Sequence, residues 1–259
     1  MKKKTLALIV PCYNEELNVL PFYQEILKTL KDINPKLIFI NDGSKDKTYD
    51  KLKELADQRK LDITIINFSR NFGKEAAIYA GLLHSNEDLT CLIDADLQQD
   101  PKYVKEMYNI LNTNEAIDMI AMYQKERKEG TILKFFKEMF YKIINRLSDV
   151  DFVNGASDFR MFNKNVKNAI LELKEQNRFS KGLFSWVGFN VEYLEYEVKE
   201  REHGTSKWSF FKLFKYAMKG IMSFSTAPIK LATITGMLAS IAAIIYLIIT
   251  IIQKLTFGI

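Results

Sequence analysis

From Thr5 to Leu111 the chain alternates between short apolar runs and longer segments with apolar residues at helical spacing. Thr5 to Val10, Leu37 to Ile40, Ile63 to Asn67 and Leu89 to Ile93 have the length and composition of buried strands. Between them, Glu15 to Lys31 carries Leu17, Leu20, Ile26, Leu27 and Leu30 at helical spacing. Lys47 to Gln58 and Glu75 to His84 read as two further helices, the first opened by Ser44 or Asp46 as its cap. A fourth helix is predicted from Pro101 to about Leu111, with the proline in its first turn. Strands and helices in this rhythm, with short connections, predict an α/β fold: a mostly parallel sheet covered by helices on both faces.

The pattern changes in the second half. Ile132 to Leu147 and Phe210 to Met222 mix large apolar side chains with lysines at helical spacing, as helices do that rest in a lipid headgroup layer or, alternatively, pack into a core. Leu231 to Ile252 is different again, with 22 residues and no charge between Lys230 and Lys254. That length spans a bilayer as a helix. Lysines crowd its near side at Lys207, Lys212, Lys215, Lys219 and Lys230, which places the N-terminal portion on the cytoplasmic face of a cell membrane. The expected organisation is a large α/β domain over 1–208, a juxtamembrane amphipathic helix over 209–227, a transmembrane helix over 231–252 and a short tail over 253–259. The tail is consistent with a chain that stops just outside the membrane and with one cut before a second span.

Strand ends carry the candidate chemistry. Pro11, Tyr13, Asn14 and Glu15 follow the first strand, and Asn41, Asp42, Gly43 and Ser44 the second. Arg70, Asn71 and Lys74 follow the third, and Asp94 and Asp96 the fourth. Ligands of parallel sheets sit beyond the carboxyl ends of the strands, where these residues fall. Two carboxylates one residue apart, with Gln98 continuing the parity, suit a hard divalent ion shared with phosphate oxygens. A strand followed by an ordinary turn would leave the same pattern, and Asp42-Gly43 alone is a common turn pair. The glycines form neither GxGxxG nor GxxxxGK[ST], which argues against dinucleotide and P-loop sites.

Composition adds limits. The formal charge of +5 is mild; it suits an anionic partner, and no nucleic acid is expected. Cys12 and Cys91 lie in or beside apolar runs, as buried thiols of a reducing compartment do, and two histidines exclude a histidine-rich metal site. The opening MKKKTLALIV runs directly into PCYNEE and reads as a first strand, not a signal peptide.

The segments IVPCYNEELNV, FINDGSKDKT, FSRNFGKEAAIYAG, LIDADLQQDP, NRLSDVDFVNGASDFRMF, NRFSKGLFSWVGF, REHGTSKWSFFKL and GIMSFSTAPIKL span Ile9 to Leu231. In their order and spacing they resemble the family 2 nucleotide-sugar glycosyltransferases of the GT-A fold. The nearest branch contains dolichyl-phosphate mannose synthase and the bacterial polyprenyl-phosphate glycosyltransferases. The resemblance implies that Pro11, Tyr13, Glu15 and Asp42 hold the base and ribose of a nucleotide-sugar donor, with Asn71, Lys74 and Asp94 near the donor. It implies that Asp96, with Gln98 and Asp94, brings Mg²⁺ or Mn²⁺ to the diphosphate. Asp158 is then a base or an orienting group beside the acceptor, and Arg160 fixes it or contacts phosphate; an edge-strand pair is the alternative for these two. UDP-glucose and polyprenyl phosphate are the expected substrates, with inversion at the sugar. Whether the chain works as a homo-oligomer stays open.

A lipid monophosphate is substantially ionised near neutrality, its second pKa being about 6. The heavier demand is to bring two anions together, which requires cations. Arg201, Ser206 and Lys207 in REHGTSK are the expected lipid-phosphate contacts. Lys125 and Arg127 join them from the loop where the family usually carries arginines, and this chain has Gln124 at the loop's start. The competing readings are the same reaction with UDP-GlcNAc, UDP-galactose or GDP-mannose as donor, a processive or protein-directed glycosyltransferase of the same fold, whose acceptor-side motifs are not visible, and a non-catalytic membrane scaffold of that fold.

Overall fold

The first strand is apolar at every position from Leu6 to Val10, and each of those residues is buried, so the strand is covered on both faces. A strand of this kind needs layers above and below it. The computed structural model, which describes residues 3–124, 146, 156–175, 178–199 and 225–258, supplies them. Its strands are β1 (Leu6–Cys12), β2 (Lys36–Asn41), β3 (Ile63–Asn67), β4 (Leu89–Leu92), β5 (Met119–Gln124), β6 (Ala156–Asn163) and β7 (Val191–Tyr196). They form one sheet in the order β3-β2-β1-β4-β6-β5-β7. The helices are α1 (Val19–Thr29), α2 (Thr48–Asp57), α3 (Lys74–His84), α4 (Pro101–Thr113), α5 (Lys164–Glu172), α6 (Ser180–Trp186) and α7 (Ala227–Phe257).

Residue parity sorts the core into two layers. Leu8, Val10 and Phe39 point towards Phe22 and Ile26 of α1, Leu52 of α2 and Val104 of α4. Ala7, Ile9, Ile38 and Ile40 point the other way, towards Ala77 and Ile78 of α3, Val166 of α5 and Phe184 of α6. Full burial of side chains of this size stabilises by roughly 1.5–3 kcal/mol each. On the second face α3 lies very close to the sheet, because a Cβ on Gly81 would stand 2.4 Å from Ile9 Cγ2.

The first four strands and their helices fall where the pattern placed them, with two differences. The first helix begins at Val19, four residues later than expected, which leaves Pro21 in its first turn instead of its interior. Its buried stripe is accordingly Val19, Phe22, Tyr23 and Ile26, while Leu17 and Leu20 are 62% and 39% exposed. Second, neither Ser44 nor Asp46 is the cap of α2: the N-cap residue is Lys47, and Asp46 just before it accepts through Oδ1 from Thr48 N at 3.0 Å and from Thr48 Oγ1 at 2.6 Å.

The sheet is mixed. β4 and β5 both pair antiparallel with β6, and β5 pairs parallel with β7, so β6 alone runs against the others. β6 is flanked on both sides and is no edge strand, which removes the edge-pair reading of Asp158 and Arg160.

Within α7, Ile229–Thr256 is long and apolar enough to cross a membrane, and its most apolar window is not buried against the described residues. The two amphipathic stretches lie outside the described residues, except for Arg146.

Candidate active site

Because β1, β2, β3 and β4 are parallel, their carboxyl ends share one edge of the sheet. The reversed β6 brings its amino end to that same edge. Leu92 of β4 is in register with Arg160 of β6, so two residues further on Asp94 and Asp158 come opposite each other. Lys74, the first residue of α3, closes the gap: its Nζ lies 2.8 Å from Asp94 Oδ1 and 3.2 Å from Asp158 Oδ2. Burial alone would pull the Lys74 ammonium down, but the carboxylates of Asp94 and Asp158 outweigh it and hold its pKa well above the ordinary lysine value. For Asp158, burial acts upward and is outweighed by Lys74, then Lys181 and Arg160, which bring its pKa down to about 2. Asp158 is therefore held as a carboxylate, and a carboxylate so stabilised is a weak base. Its Oδ1 is buried and has no hydrogen-bond partner among the described residues.

The carboxylate loop after β4 is fixed at several points. Asp94 N donates to Gln99 Oε1 at 2.9 Å, and Asp96 Oδ1 accepts from Gln98 N at 3.2 Å. Leu97 between them has φ +57°, a left-handed conformation that a branched side chain rarely adopts. Such strain is tolerated where the surroundings impose it, and it is common at ligand sites. Asp100 caps α4 through Lys102 N at 2.9 Å and pairs with Lys199 Nζ at 2.9 Å. Lys199 N in turn donates to Gln98 O at 3.2 Å, tying the loop to the segment after β7.

No cluster of three metal-ligating side chains exists among the described residues. Mg²⁺ is commonly held by one or two carboxylates plus substrate phosphates and water, and the donor set here fits that mode. With Asp94 engaged by Lys74, the nearly buried Asp96 is the better candidate ligand, at 9% exposure. Gln98 directs its Nε2 to Lys199 O at 3.5 Å.

On the β1–β3 side the loops are knitted by neutral and backbone bonds. Asp42 Oδ1 and Oδ2 accept from Phe72 N at 2.7 Å and Gly73 N at 2.9 Å, anchoring the turn that starts α3. Burial nevertheless keeps the Asp42 pKa above the usual carboxylate value against those two bonds. Asn14 N donates to Ser44 Oγ at 2.9 Å, and Asn14 Oδ1 accepts from Lys45 N at 2.9 Å. Glu15 N donates to Thr48 Oγ1 at 2.8 Å. Gly43 has φ +62°, and a Cβ there would stand 2.3 Å from Arg70 C and 2.5 Å from Asn71 N. Pro11 lines a narrow cleft with Lys74, Asp94, Gln99 and Asp158; Tyr13 and Glu15 are partly buried and Asn71 is exposed.

Thus Pro11, Lys74, Asp94 and Asp158 meet at one point, with Asp96 and Gln98 on the adjoining loop, and Asp42 stands one step back, holding the loop that presents Lys74. Arg160 donates from Nη2 to Ser157 O at 2.8 Å and stacks 4.4 Å from the Phe184 ring. Lys125, Arg127, Arg201, Ser206 and Lys207 lie outside the described residues. Two site residues escaped the sequence: Gln99, which clamps Asp94, and Lys181 on α6. Their placement depends on the sharp carboxylate turn and on β6, neither of which periodicity reveals. Gln124, at the end of β5, donates to Tyr196 Oη at 3.3 Å.

The model of glycosyl transferase family 2 matches residues 7–171. CsbB of Bacillus subtilis (strain 168), whose own assignment as a glycosyltransferase is provisional, is 41% identical over 261 residues, covering 100% of this chain and 78% of that protein. The bactoprenol glucosyl transferase of Shigella phage SfV is 36% identical over 256 residues, covering 98% and 82%. Among solved structures, glucosyl-3-phosphoglycerate synthase from Mycobacterium tuberculosis with Mn²⁺, UDP and glucosyl-3-phosphoglycerate aligns with a TM-score of 0.56. It does so at 15% identity over 84% of this chain and 77% of that one, a likeness of fold. The sheet is that of the GT-A fold, and the chain belongs to glycosyl transferase family 2.

Proposed function

We propose that this glycosyltransferase moves a sugar, glucose from UDP-glucose in the first instance, to polyprenyl phosphate at the cytoplasmic face of a cell membrane. The observation that carries the reading is the bridge in which Lys74 Nζ lies 2.8 Å from Asp94 Oδ1 and 3.2 Å from Asp158 Oδ2. Lys74 holds the Asp158 carboxylate ionised with a pKa of about 2, too weak a base to take the proton of a sugar or glycerate hydroxyl. A nucleophile that brings its own negative charge suits such a site. A phosphate monoester does so, and the name of the 36% identical bactoprenol glucosyl transferase points to a polyprenyl lipid, whose monophosphate is the acceptor read here.

The steps follow from the residues. Pro11, Tyr13, Glu15 and the loop anchored by Asp42 form the nucleotide side. Asp96, with Gln98 and Asp94 beside it, would hold Mg²⁺ or Mn²⁺. When bound, the ion supplies Lewis-acid neutralisation of the charge that collects on the diphosphate. Lys74 keeps Asp94 and Asp158 at a fixed spacing beneath the sugar. A phosphate oxygen of the acceptor attacks the anomeric carbon as the bond from that carbon to the diphosphate oxygen breaks. The electron pair departs with the nucleoside diphosphate, no proton need move, and the sugar is inverted. Arg201, Ser206, Lys207, Lys125 and Arg127 are assigned to the acceptor phosphate by resemblance. The apolar helix α7 is read as the membrane span, which brings the domain over 1–208 to an acceptor whose tail stays in lipid.

The test is transfer by purified full-length protein from labelled UDP-glucose, UDP-GlcNAc, UDP-galactose or GDP-mannose to polyprenyl phosphate with Mn²⁺. A lipid-linked product that disappears with chelator is expected. No such product with any donor, with an Asp96→Ala variant indistinguishable from the parent, would sink the reading.

A further inference from the structure

The four residues Arg178, Phe179, Ser180 and Lys181 lead into α6 and form its start, and three of them have structural work. Arg178 donates to Leu173 O at 2.5 Å and Ile170 O at 3.1 Å, closing the end of α5, and stacks 4.6 Å from the Tyr79 ring. Phe179 is buried. Ser180 Oγ donates to Glu75 Oε2 at 2.5 Å, and its N–H to the same carboxylate at 3.0 Å, pinning the helix start to the residue next to Lys74. One turn on, Phe184 packs 5.0 Å from Phe162 and carries the Arg160 guanidinium on its ring. Lys181 lies between these two anchors, so the helix has little freedom to turn it away from the site. It is partly buried, and the charges acting on it are Asp158, Arg160, Lys74 and Glu75.

Its situation contrasts with that of Lys74. Lys74 is bound by two carboxylates, whereas among the described residues no carboxylate lies within 4.0 Å of the Lys181 ammonium. Burial outweighs the pull of Asp158 and lowers its pKa, with Arg160 and Lys74 acting in the same direction as burial. A partly buried ammonium with no carboxylate in contact gains from an anion that arrives beside it. We propose that Lys181 is the cation that receives the phosphate of the acceptor, set by α6 opposite the Asp94–Lys74–Asp158 bridge. The acceptor phosphate is favoured over the donor diphosphate by position in the sheet. The nucleotide loops follow β1, β2 and β3, whereas Lys181 rides on a helix packed over β6, on the other side of β4. This inference rests on the acceptor being a phosphate monoester.

The experiment uses full-length protein in nanodiscs, loaded with UDP and Mg²⁺, and calorimetric titration with geranyl phosphate; UDP-glucose affinity is measured in parallel. Lys181→Met is expected to weaken geranyl phosphate binding about tenfold or more, the range of a lost charged hydrogen bond. Lys181→Arg should recover most of it, and UDP-glucose affinity should move by less than about twofold in either variant. Unchanged geranyl phosphate binding in Lys181→Met overturns the assignment. So does an equal loss for donor and acceptor, which is the mark of a structural residue, or a loss for the donor alone, which would place Lys181 on the diphosphate. A parent protein that binds geranyl phosphate but transfers no sugar to polyprenyl phosphate defeats the proposed function and leaves Lys181 judged by the titration. A parent that binds no phosphate monoester defeats Lys181.

Discussion

The two halves of the active edge are held in different ways. Beyond β1, β2 and β3, the loops are locked by side chains bonded to backbone amides, as in Asn14 with Ser44 and Lys45, Glu15 with Thr48, and Asp42 with Phe72 and Gly73. Beyond β4 and β6, Asp94, Lys74 and Asp158 are held by charge, with Arg160 and Lys181 nearby. The first arrangement fixes shape and responds to volume and backbone conformation. The second fixes protonation states and responds to charge. A nucleotide, recognised by its outline, suits the first; a reaction that separates charge suits the second.

Removing charge where the metal is expected should have the largest effect. Asp96→Ala should abolish detectable transfer while the thermal midpoint changes little, checked by product assay and calorimetry side by side. Retained transfer would break the comparison at its strongest point. Asp158→Asn comes next: its shape is preserved and one partner of Lys74 loses its charge. We expect kcat to fall about a hundredfold with the donor KM unchanged, in the range of a lost electrostatic contact in a transition state. Folding lowers the Asp158 pKa from 3.8 to about 2. Its ionised form therefore stabilises the fold above the ordinary value, and that contribution is lost as pH falls towards the folded one. Activity between pH 5 and 8 should thus owe nothing to its titration. An acid limb near pH 6, from the acceptor's own second ionisation, should persist in Asp158→Asn; its disappearance would make Asp158 a base.

The sequence made the first half of this edge legible and left the second obscure, for a physical reason. β1, β2 and β4 are buried on both faces, the edge strand β3 is partly buried, and each of the four is followed by a helix, so the hydrophobic pattern alone locates Pro11, Asp42, Lys74, Asp94 and Asp96 at or just beyond strand ends. β5, β6 and β7 were not placed, because β6 enters antiparallel after a long separation in sequence and no local pattern states which strand it joins. Asp158 and Arg160 were found by resemblance. That Asp158 faces Asp94 is a fact of register, which the pairing of Leu92 with Arg160 sets. Lys181 shows the same limit, since it lies in a segment matched to the family and gains a chemical role only once α6 is docked on β6. The later start of α1 has a local cause in Pro21, and the buried stripe runs through Val19, Phe22, Tyr23 and Ile26 and leaves Leu17 and Leu20 exposed.

The volume-sensitive half can be probed without touching a charge. Gly43→Ala places a Cβ within 2.5 Å of the Arg70–Asn71 backbone at a φ of +62°. The loop must move, and with it the amides that Asp42 holds. Strain of this kind costs about 1–3 kcal/mol, and we expect a matching loss of stability with the donor KM raised about tenfold and kcat nearly unchanged. A fall in kcat with the donor KM intact would erase the distinction between the halves.

Ser44→Ala should have the smallest effect and discriminates most finely. Ser44 Oγ accepts the Asn14 N–H at 2.9 Å, and Asn14 itself has φ +54°, so this bond helps to hold a strained residue next to Tyr13. The site is exposed enough for water to replace the hydroxyl, which limits the loss to about 1 kcal/mol or less. The second tie, Lys45 N to Asn14 Oδ1, survives the substitution and should keep the two loops together. We therefore expect the donor KM to rise by less than about threefold and acceptor binding to stay as it was. Asn14→Gly separates the two contributions, because glycine relieves the conformation while deleting the Oδ1 acceptor. If Ser44→Ala and Asn14→Gly each weaken donor binding slightly and together weaken it more than the sum, the loops share one network. Strict additivity would mean that each bond acts alone, and the nucleotide half would then be a set of separate contacts on a frame made rigid by the sheet beneath it.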